Sequence, residues 1–413
     1  MSKRLMLLPL MGLMFVAGAA RAAPLSFTAA LDRAERLSPA VAAKTAQWDA
    51  ARAAATSADA LPDPKLFVGI DNLPVTGPDS GSLSRDFMTM QKIGVMQDVP
   101  NSDKRRARLD AATAAIVLAE IERRAERLKV RSETAQAWIK RHSQEQRKAL
   151  FDELDRENRL LVTAVRAQLA AGSVQAADVV MAKQEALQLA DRRDELTRDL
   201  VKSKAALRRY VGAEADEPLA GDMPILVVDE GPLRQHLGHH PDLAAFEPMT
   251  QVAQAQLHEA EAAKQSDWGV QLGYQKRGPQ FSDMVSVQFT FDLPIFTRTR
   301  QEPAIAVKQQ ELLRIDAERE EMLRDHTAEL DSALADYALL ARQFERLEND
   351  SLPLAKQKVD LQLAAYRSGK GDISSLLAAR REWIELQMKR IDIEGQRATV
   401  AAQLIYTYGA VQP

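Results

Sequence analysis

The chain has 413 residues with 18 glycines and 18 prolines, about 9% together against roughly 12% in an average protein, so long regular elements are favoured over turns. Its 55 basic and 58 acidic side chains leave a net charge of −3, which carries no electrostatic footprint for nucleic acid, and no nucleic-acid partner is expected. The absence of cysteine excludes a disulfide framework, a thiolate metal site, a cysteine nucleophile and a lipid anchor on an N-terminal cysteine.

Residues 1–22 have the form of a secretory signal peptide. Lys3 and Arg4 precede an apolar run from Leu5 to Ala20, and Ala20-Arg21-Ala22 supplies a small-x-small site with cleavage expected after Ala22. The run contains Pro9 and Gly12 and falls short of the roughly 20 residues a spanning helix needs. Loss of Lys3, Arg4 and Arg21 takes the net charge from −3 to −6. No later stretch is apolar enough for a transmembrane helix, so any span in the mature chain must use strands.

After a helical segment containing Ser38-Pro39 come two predicted strands, at about 65–73 and 88–99, carrying Leu66, Val68 and Ile70, then Ile93, Val95 and Val99. From about 101 to 171 there is neither Pro nor Gly, which allows a rod of roughly 105 Å. Gly172 opens a turn into a returning helix, and the hairpin 101–212 closes a first unit, 23–212. A Pro/Gly-rich linker, 213–232, leads to a second unit, 233–413, with predicted strands at about 267–275 and 284–293 and a long hairpin over 297–409. The two units repeat one plan. GSVQAADVVMAKQEALQL from Gly172 aligns with GKGDISSLLAARREWIEL from Gly369, pairing Lys183 with Arg380, Glu185 with Glu382 and Leu189 with Leu386. VMQDVPNSDKRR aligns with FTFDLPIFTRTR, pairing Asp98 with Asp292, Pro100 with Pro294 and Lys104 with Arg298. His240-Pro241 answers Ser38-Pro39.

In the second unit Trp268, Val270, Leu272 and Tyr274 alternate with Gly269, Gln271, Gly273 and Gln275, while Val285, Val287, Phe289, Phe291 and Leu293 alternate with Ser286, Gln288, Thr290 and Asp292. Period two gives one apolar and one polar face. On the helices Leu323, Leu330, Tyr337 and Phe344 recur every seven residues, as do Leu340, Leu347, Leu354 and Leu361, and Leu377, Ile384, Ile391, Ala398 and Ile405. Such a period sets coiled-coil seams. Pro353 is expected to kink the second long helix. Four strands cannot close a barrel, and an open edge in lipid leaves backbone groups unsatisfied, so several chains must share one barrel if the strands span a membrane. The alternative for the strands is a soluble antiparallel sheet under a helical bundle, and the alternative for the whole chain is a pore-free periplasmic coiled-coil scaffold.

The duplicated strand-strand-helix-turn-helix plan, the strand ends QDVPN and FDLPIF, and the hairpin turns AAGSVQAADVV and YRSGKGDISSLL resemble the TolC family of outer-membrane efflux channels over essentially the whole mature chain. The resemblance implies a mainly α fold with a small β part. Long coiled-coil hairpins would form a periplasmic α-barrel, and four transmembrane strands per chain would complete a 12-stranded barrel in a homotrimer. It places the protein in the outer membrane of a Gram-negative bacterium, in contact with its lipid, as a passive exit duct without cofactor or enzymatic activity. A periplasmic adaptor and an inner-membrane resistance-nodulation-division pump would be its partners. The segments DFMTMQKIGVMQDVPNSDKRRAR and GYQKRGPQFSDMVSVQFTFDLP are similar to the branch serving cobalt-zinc-cadmium or copper-silver exporters, making heavy-metal cations the expected cargo and a drug or type I protein-secretion duct the alternative.

In this family adaptors dock on the hairpin tips, here Gly172, Ser173 and Val174, and Gly369, Lys370 and Gly371. Both Gly172 and Gly369 also suit a plain helix-helix turn. A drug-exporting relative narrows its entrance with aspartates where this chain has Ser375 and Ala378, leaving Asp178 and Asp372 as candidate pore-lining acids, with helix N-capping as the local reading. Three histidines, His236, His239 and His240, form a weak candidate metal cluster against the reading of a solvated helix entry. Met88, Met90 and Met96 are placed on one strand face, and the basic run Lys104-Arg105-Arg106-Ala107-Arg108 reads as an exposed helix start.

Overall fold

The computed structural model describes residues 24–172 and 175–409; the signal segment, Ser173 and Val174 lie outside them. The chain starts with a short strand β1 (Leu25–Ser26) and two helices, α1 (Phe27–Leu37) and α2 (Pro39–Ala55). Ser26 and Ser38 cap these helices, and Pro39 starts the second where no backbone donor is needed. Strands β2 (Lys65–Asp71) and β3 (Met90–Val99) follow, then α3 (Ser102–Ala170), which at 69 residues is about 100 Å long. The returning helix α4 (Ala176–Val211) has only 36 residues. A 3-10 turn (Gly212–Asp216) and β4 (Leu219–Ala220) occupy the linker, α5 (Glu230–His236) crosses its end, and α6 (Pro241–Ala244) opens the second unit. The second unit continues with α7 (Phe246–Ala262), β5 (Trp268–Lys276), β6 (Met284–Phe291), α8 (Gln301–Arg346), α9 (Leu352–Arg367) and α10 (Ile373–Tyr408).

The predicted strands are one or two residues shorter or shifted, and Met88 falls outside β3. The Asp86 carboxylate accepts from the backbone N–H of Met88 and Thr89, at 2.8 and 3.1 Å, and turns the chain before pairing begins. Met90 and Met96 alone therefore share a strand face. At Pro353 the helix does not simply kink. A π turn at Leu347–Ser351 precedes it, because the proline ring removes one donor and crowds the carbonyl four residues back. The extra residue rotates the seam by about 100°. Leu347 is buried, whereas Leu354 and Leu361, next in the same heptad series, are exposed.

The difference in length between α3 and α4 divides the helical part into tiers. Near the strands α3 packs on α2 and α7; towards the hairpin end it packs on α4 and α10. Where the tiers meet lies the largest core. Leu31, Ala34, Trp138, Ile139, Leu207, Val211 and Ala402 are buried together there, and the Trp138 indole donates to Leu25 O at 3.2 Å. The linker joins this core through β4, which pairs parallel with β1.

Candidate functional site

The four long strands form one antiparallel sheet in the order β2-β3-β5-β6, so the hairpins of the two units meet at β3-β5 and the outer sides of β2 and β6 are edges. The register aligns Leu66, Val95, Leu272 and Val287 in one row and Val68, Ile93, Tyr274 and Val285 in the next. All eight are exposed, with Val68 at 73% and Val285 at 69%. Trp268 and Phe291 pair at the helix-proximal end, where Leu293, Ile295 and Phe296 extend the apolar band. An outward apolar band with aromatic residues at its border is the pattern of a transmembrane barrel wall. The opposite face is polar. Lys65 pairs with Asp98 at 2.6 Å and Lys92 with Asp71 at 2.8 Å, and Gln271, Gln275, Gln288, Met90 and Met96 share this face. Phe67 lies across Gly94 and Gly273 on this face; a Cβ on Gly94 would come within 2.3 Å of the ring.

Two polar knots, absent from the sequence reading, hold the sheet to the helices and the linker to the core. Asp267 accepts from Asn101 N at 2.9 Å and from Lys104 Nζ at 2.6 Å, locking the start of β5 to the start of α3. Burial raises the Asp267 pKa, but the Lys104 ammonium and the Asn101 donors outweigh it and hold the carboxyl below its usual range. Arg105 and Arg108 of the basic run are also engaged, by Asp59 O at 2.8 Å and Glu259 at 2.6 Å, so the run is only partly a free surface. In the core Arg141, fully buried on α3, donates to Ala215 O and Glu217 O, each at 2.6 Å, and pairs with Glu145 at 2.8 Å.

At the far end the two hairpin tips pack on each other. Val165 of α3, Val179 of α4, Tyr366 of α9, and Ile373 and Leu377 of α10 form one small core. Gly172 and Gly369 have φ of +70° and +71°, the left-handed turn expected of them, and Lys370 is exposed beside the half-buried Gly371. The acids do cap helices. Asp178 Oδ2 accepts from Gln175 N at 2.9 Å. Asp372 Oδ1 accepts from Ser374 Oγ and, at 2.8 Å, from Ser375 N, while its Oδ2 takes Ser375 Oγ at 2.8 Å. These bonds, the Ser374 hydroxyl first, hold the Asp372 carboxyl at about 2. Asp178 also faces Tyr366, whose phenol is pushed up by burial and then by that carboxylate.

The three candidate histidines separate. His236 bonds Pro232 O at 2.7 Å and lies 6.3 Å, ring to ring, from His239. His240 turns away to cap α6, accepting from Asp242 N at 3.2 Å, and its ring stands 4.2 Å from that of His326 on α8. Among the described residues the group with three potential ligands in reach of one ion is His240, Asp242 and His326, not the sequential cluster. Burial and then His326 push the His240 pKa below its ordinary value.

Among the described residues no helix is long and apolar enough to cross a membrane. The model of the outer membrane efflux protein family matches residues 30–213 and 233–410, one match for each repeat. No curated protein sequence matches the chain. A membrane protein from Pseudomonas aeruginosa superposes with a TM-score of 0.80 at 18% identity, over 93% of this chain and 90% of that one. The outer membrane protein VceC from Vibrio cholerae gives 0.77 at 19%, over 93% and 96%. CusC, described in terms of folding and transmembrane channel formation, gives 0.80 at 17%, over 93% and 92%. At these identities the likeness is one of fold, and it covers helices and strands alike. Matched in both repeats, the chain belongs to the outer membrane efflux protein family, whose members are transport ducts and not enzymes.

Proposed function

We propose that three copies of this chain close a 12-stranded outer-membrane barrel above a periplasmic helical tunnel, and that this duct exports heavy-metal cations. The observation that carries the trimer is the sheet itself: apolar and exposed on one face, polar on the other, and unpaired along β2 and β6. Successive strands are antiparallel, so β6 of one copy meets β2 of the next in the antiparallel sense, and a three-fold repeat removes every edge. The seam at Leu354 and Leu361, open in one chain, has a neighbouring copy to cover it. An adaptor would dock on the tips around Gly172 and Gly369, with an inner-membrane resistance-nodulation-division pump supplying the energy. Asp178 and Asp372 would set a carboxylate ring at the entrance while still capping their helices. The metal cargo rests on the similarity of the two strand segments to the metal-exporting branch and is in keeping with the acidic balance of the mature chain.

Because the chain has no cysteine, Val68→Cys on β2 together with Val287→Cys on β6 provides a clean crosslinking pair. A short bismaleimide should give covalent trimers from membranes, and the purified protein should open discrete conductances in planar bilayers. Monomers only, with no conductance, would refute the barrel. Deletion of the gene should sensitise cells to zinc, cadmium, cobalt, copper or silver when the partner pump is expressed; sensitivity confined to drugs would move the cargo to the alternative.

A further inference from the structure

The His240 pocket has a feature that neither chain closure nor transport explains. His326 is 8% exposed, and its Nε2 is buried without a hydrogen-bond partner. Its other nitrogen is committed. Tyr408 O–H donates to Glu329 Oε2 at 3.2 Å, so the Tyr408 oxygen is free to accept from His326 Nδ1 at 3.3 Å, and Glu329 Oε2 lies 3.8 Å from that same nitrogen. This relay places the proton on Nδ1 and the lone pair on Nε2. The lone pair then faces Asp242 Oδ2 at 3.6 Å. At 3.8 Å from the same carboxylate oxygen is His240 Nδ1, whose lone pair accepts the N–H of Asp242. The His326 lone pair and the Asp242 carboxylate thus face each other with no proton between them, an arrangement that repels itself unless a cation joins them, and the His240 nitrogen beside them is held only by a long backbone bond.

We propose that His240, Asp242 and His326 bind one divalent transition-metal ion of the zinc class, clipping α6, near the start of the second repeat, to α8. All three ligand atoms lie within 4.8 Å of one another. The two measured edges, 3.6 and 3.8 Å, are close to the roughly 3.4 Å edge of a tetrahedron with zinc-nitrogen and zinc-oxygen bonds of about 2.1 Å. Two imidazoles and one carboxylate are a borderline donor set suited to zinc, cobalt or nickel. A fourth position is open to water from a cavity of about 730 Å³ that is lined by all three ligands together with Lys44, Glu122 and Tyr406. The ion would replace the capping bond at His240, and Tyr408 and Glu329 would act as positioning residues behind His326. The clip is separate from the cargo: it holds under any reading of what passes through the duct.

The test uses the full chain purified in detergent and stripped with a chelator. Zinc is titrated in competition with a chromophoric chelator at neutral pH, and melting is followed with and without zinc. The expected result is one ion per chain at micromolar affinity or better, with a higher melting temperature in zinc. His326→Gln and Asp242→Asn should each weaken that site on the order of 100-fold and abolish the thermal shift. Tyr408→Phe should weaken it about 10-fold, as loss of an orienting partner does elsewhere. His236→Ala with His239→Ala should leave it intact. No stoichiometric binding by the parent chain would overturn the proposal. Parent-like binding in both ligand variants would overturn it equally, since zinc would then sit elsewhere.

Discussion

Replacing Arg141 with methionine keeps most of its volume and removes every donor. Its side chain is 1% exposed, and it satisfies two linker carbonyls, Ala215 O and Glu217 O, each at 2.6 Å. A hydrogen bond from a charged donor is worth about 1.5–3 kcal/mol, so the two together come to about 3–6 kcal/mol. Relief from burying the guanidinium offsets part of this, which puts the net loss near the lower end, at about 3 kcal/mol. The loss falls on the linker, because the adjoining turn keeps only its remaining holds, among them the Arg33–Glu214 pair at 2.7 Å. The assay is cleavage after Glu214 by a glutamate-specific protease, with the new ends read by mass spectrometry. Where reclosing outruns cleavage, the rate follows the open population, and about 3 kcal/mol corresponds to a rate increase on the order of 100-fold. Arg141→Lys, which retains the charge but reaches fewer acceptors, should fall between. Cleavage of Arg141→Met at the parent rate would show that the two carbonyls are held by something else and that the buried arginine does not close this joint.

Three further outcomes follow from the sheet, its junction and the tips. Val287→Arg on the apolar face should cost about 2–4 kcal/mol at the bilayer midplane and deplete the protein from the outer membrane, whereas Gln288→Arg, one residue on and facing the other way, should assemble normally with altered conductance; equal depletion of both would contradict the two-faced sheet. Asp267 is held below the ordinary 3.8, so its contribution to the strand-helix junction is complete above that value and is lost as pH falls through the lower folded value. Fluorescence of the neighbouring Trp268 should therefore change below about pH 4 in the parent and not in Asp267→Asn; a shared acid midpoint would discount the Lys104 pair. Gly172→Ala meets no atom of the described residues within 4 Å, so only its φ of +70° is strained, and a local cost of about 1 kcal/mol should appear as faster amide exchange at the tip with conductance unchanged. Loss of the folded trimer in that variant would mean that the tip supports more than a turn.

What was legible in the sequence was whatever repeats at short range. The alternation of Val285, Val287, Phe289 and Phe291 gave β6 and its exposed face, and the long stretch without Gly or Pro gave α3 to within a residue or two. The heptads of α10 from Leu377 to Ile405 reappear as its inward face, buried or half-buried throughout. The duplication was legible for the same reason, since each copy carries its own turns and strand ends. The heptad through Leu354 and Leu361 leaves the chain's own core beyond the π turn, where one extra residue changes the phase.

The site residues were legible where chemistry is local, as with the caps at Asp178 and Asp372 and the left-handed glycines. They were not legible where the partner is far along the chain. His240 was grouped with its neighbours His236 and His239, yet its ring partner is His326, on another helix of the same repeat. Asn101 meets Asp267 across 166 residues, and Trp138 meets Leu25 across 113. Arg141 reads as one more charge on a solvated helix until the linker carbonyls are seen to cover it. Sequence by itself determined the elements, their faces and their doubling, because backbone periodicity is written in residues a few positions apart. Only the tertiary structure decided which strands pair, which charges are buried and which lone pairs converge, because burial and pairing are set by chain segments that no local period connects.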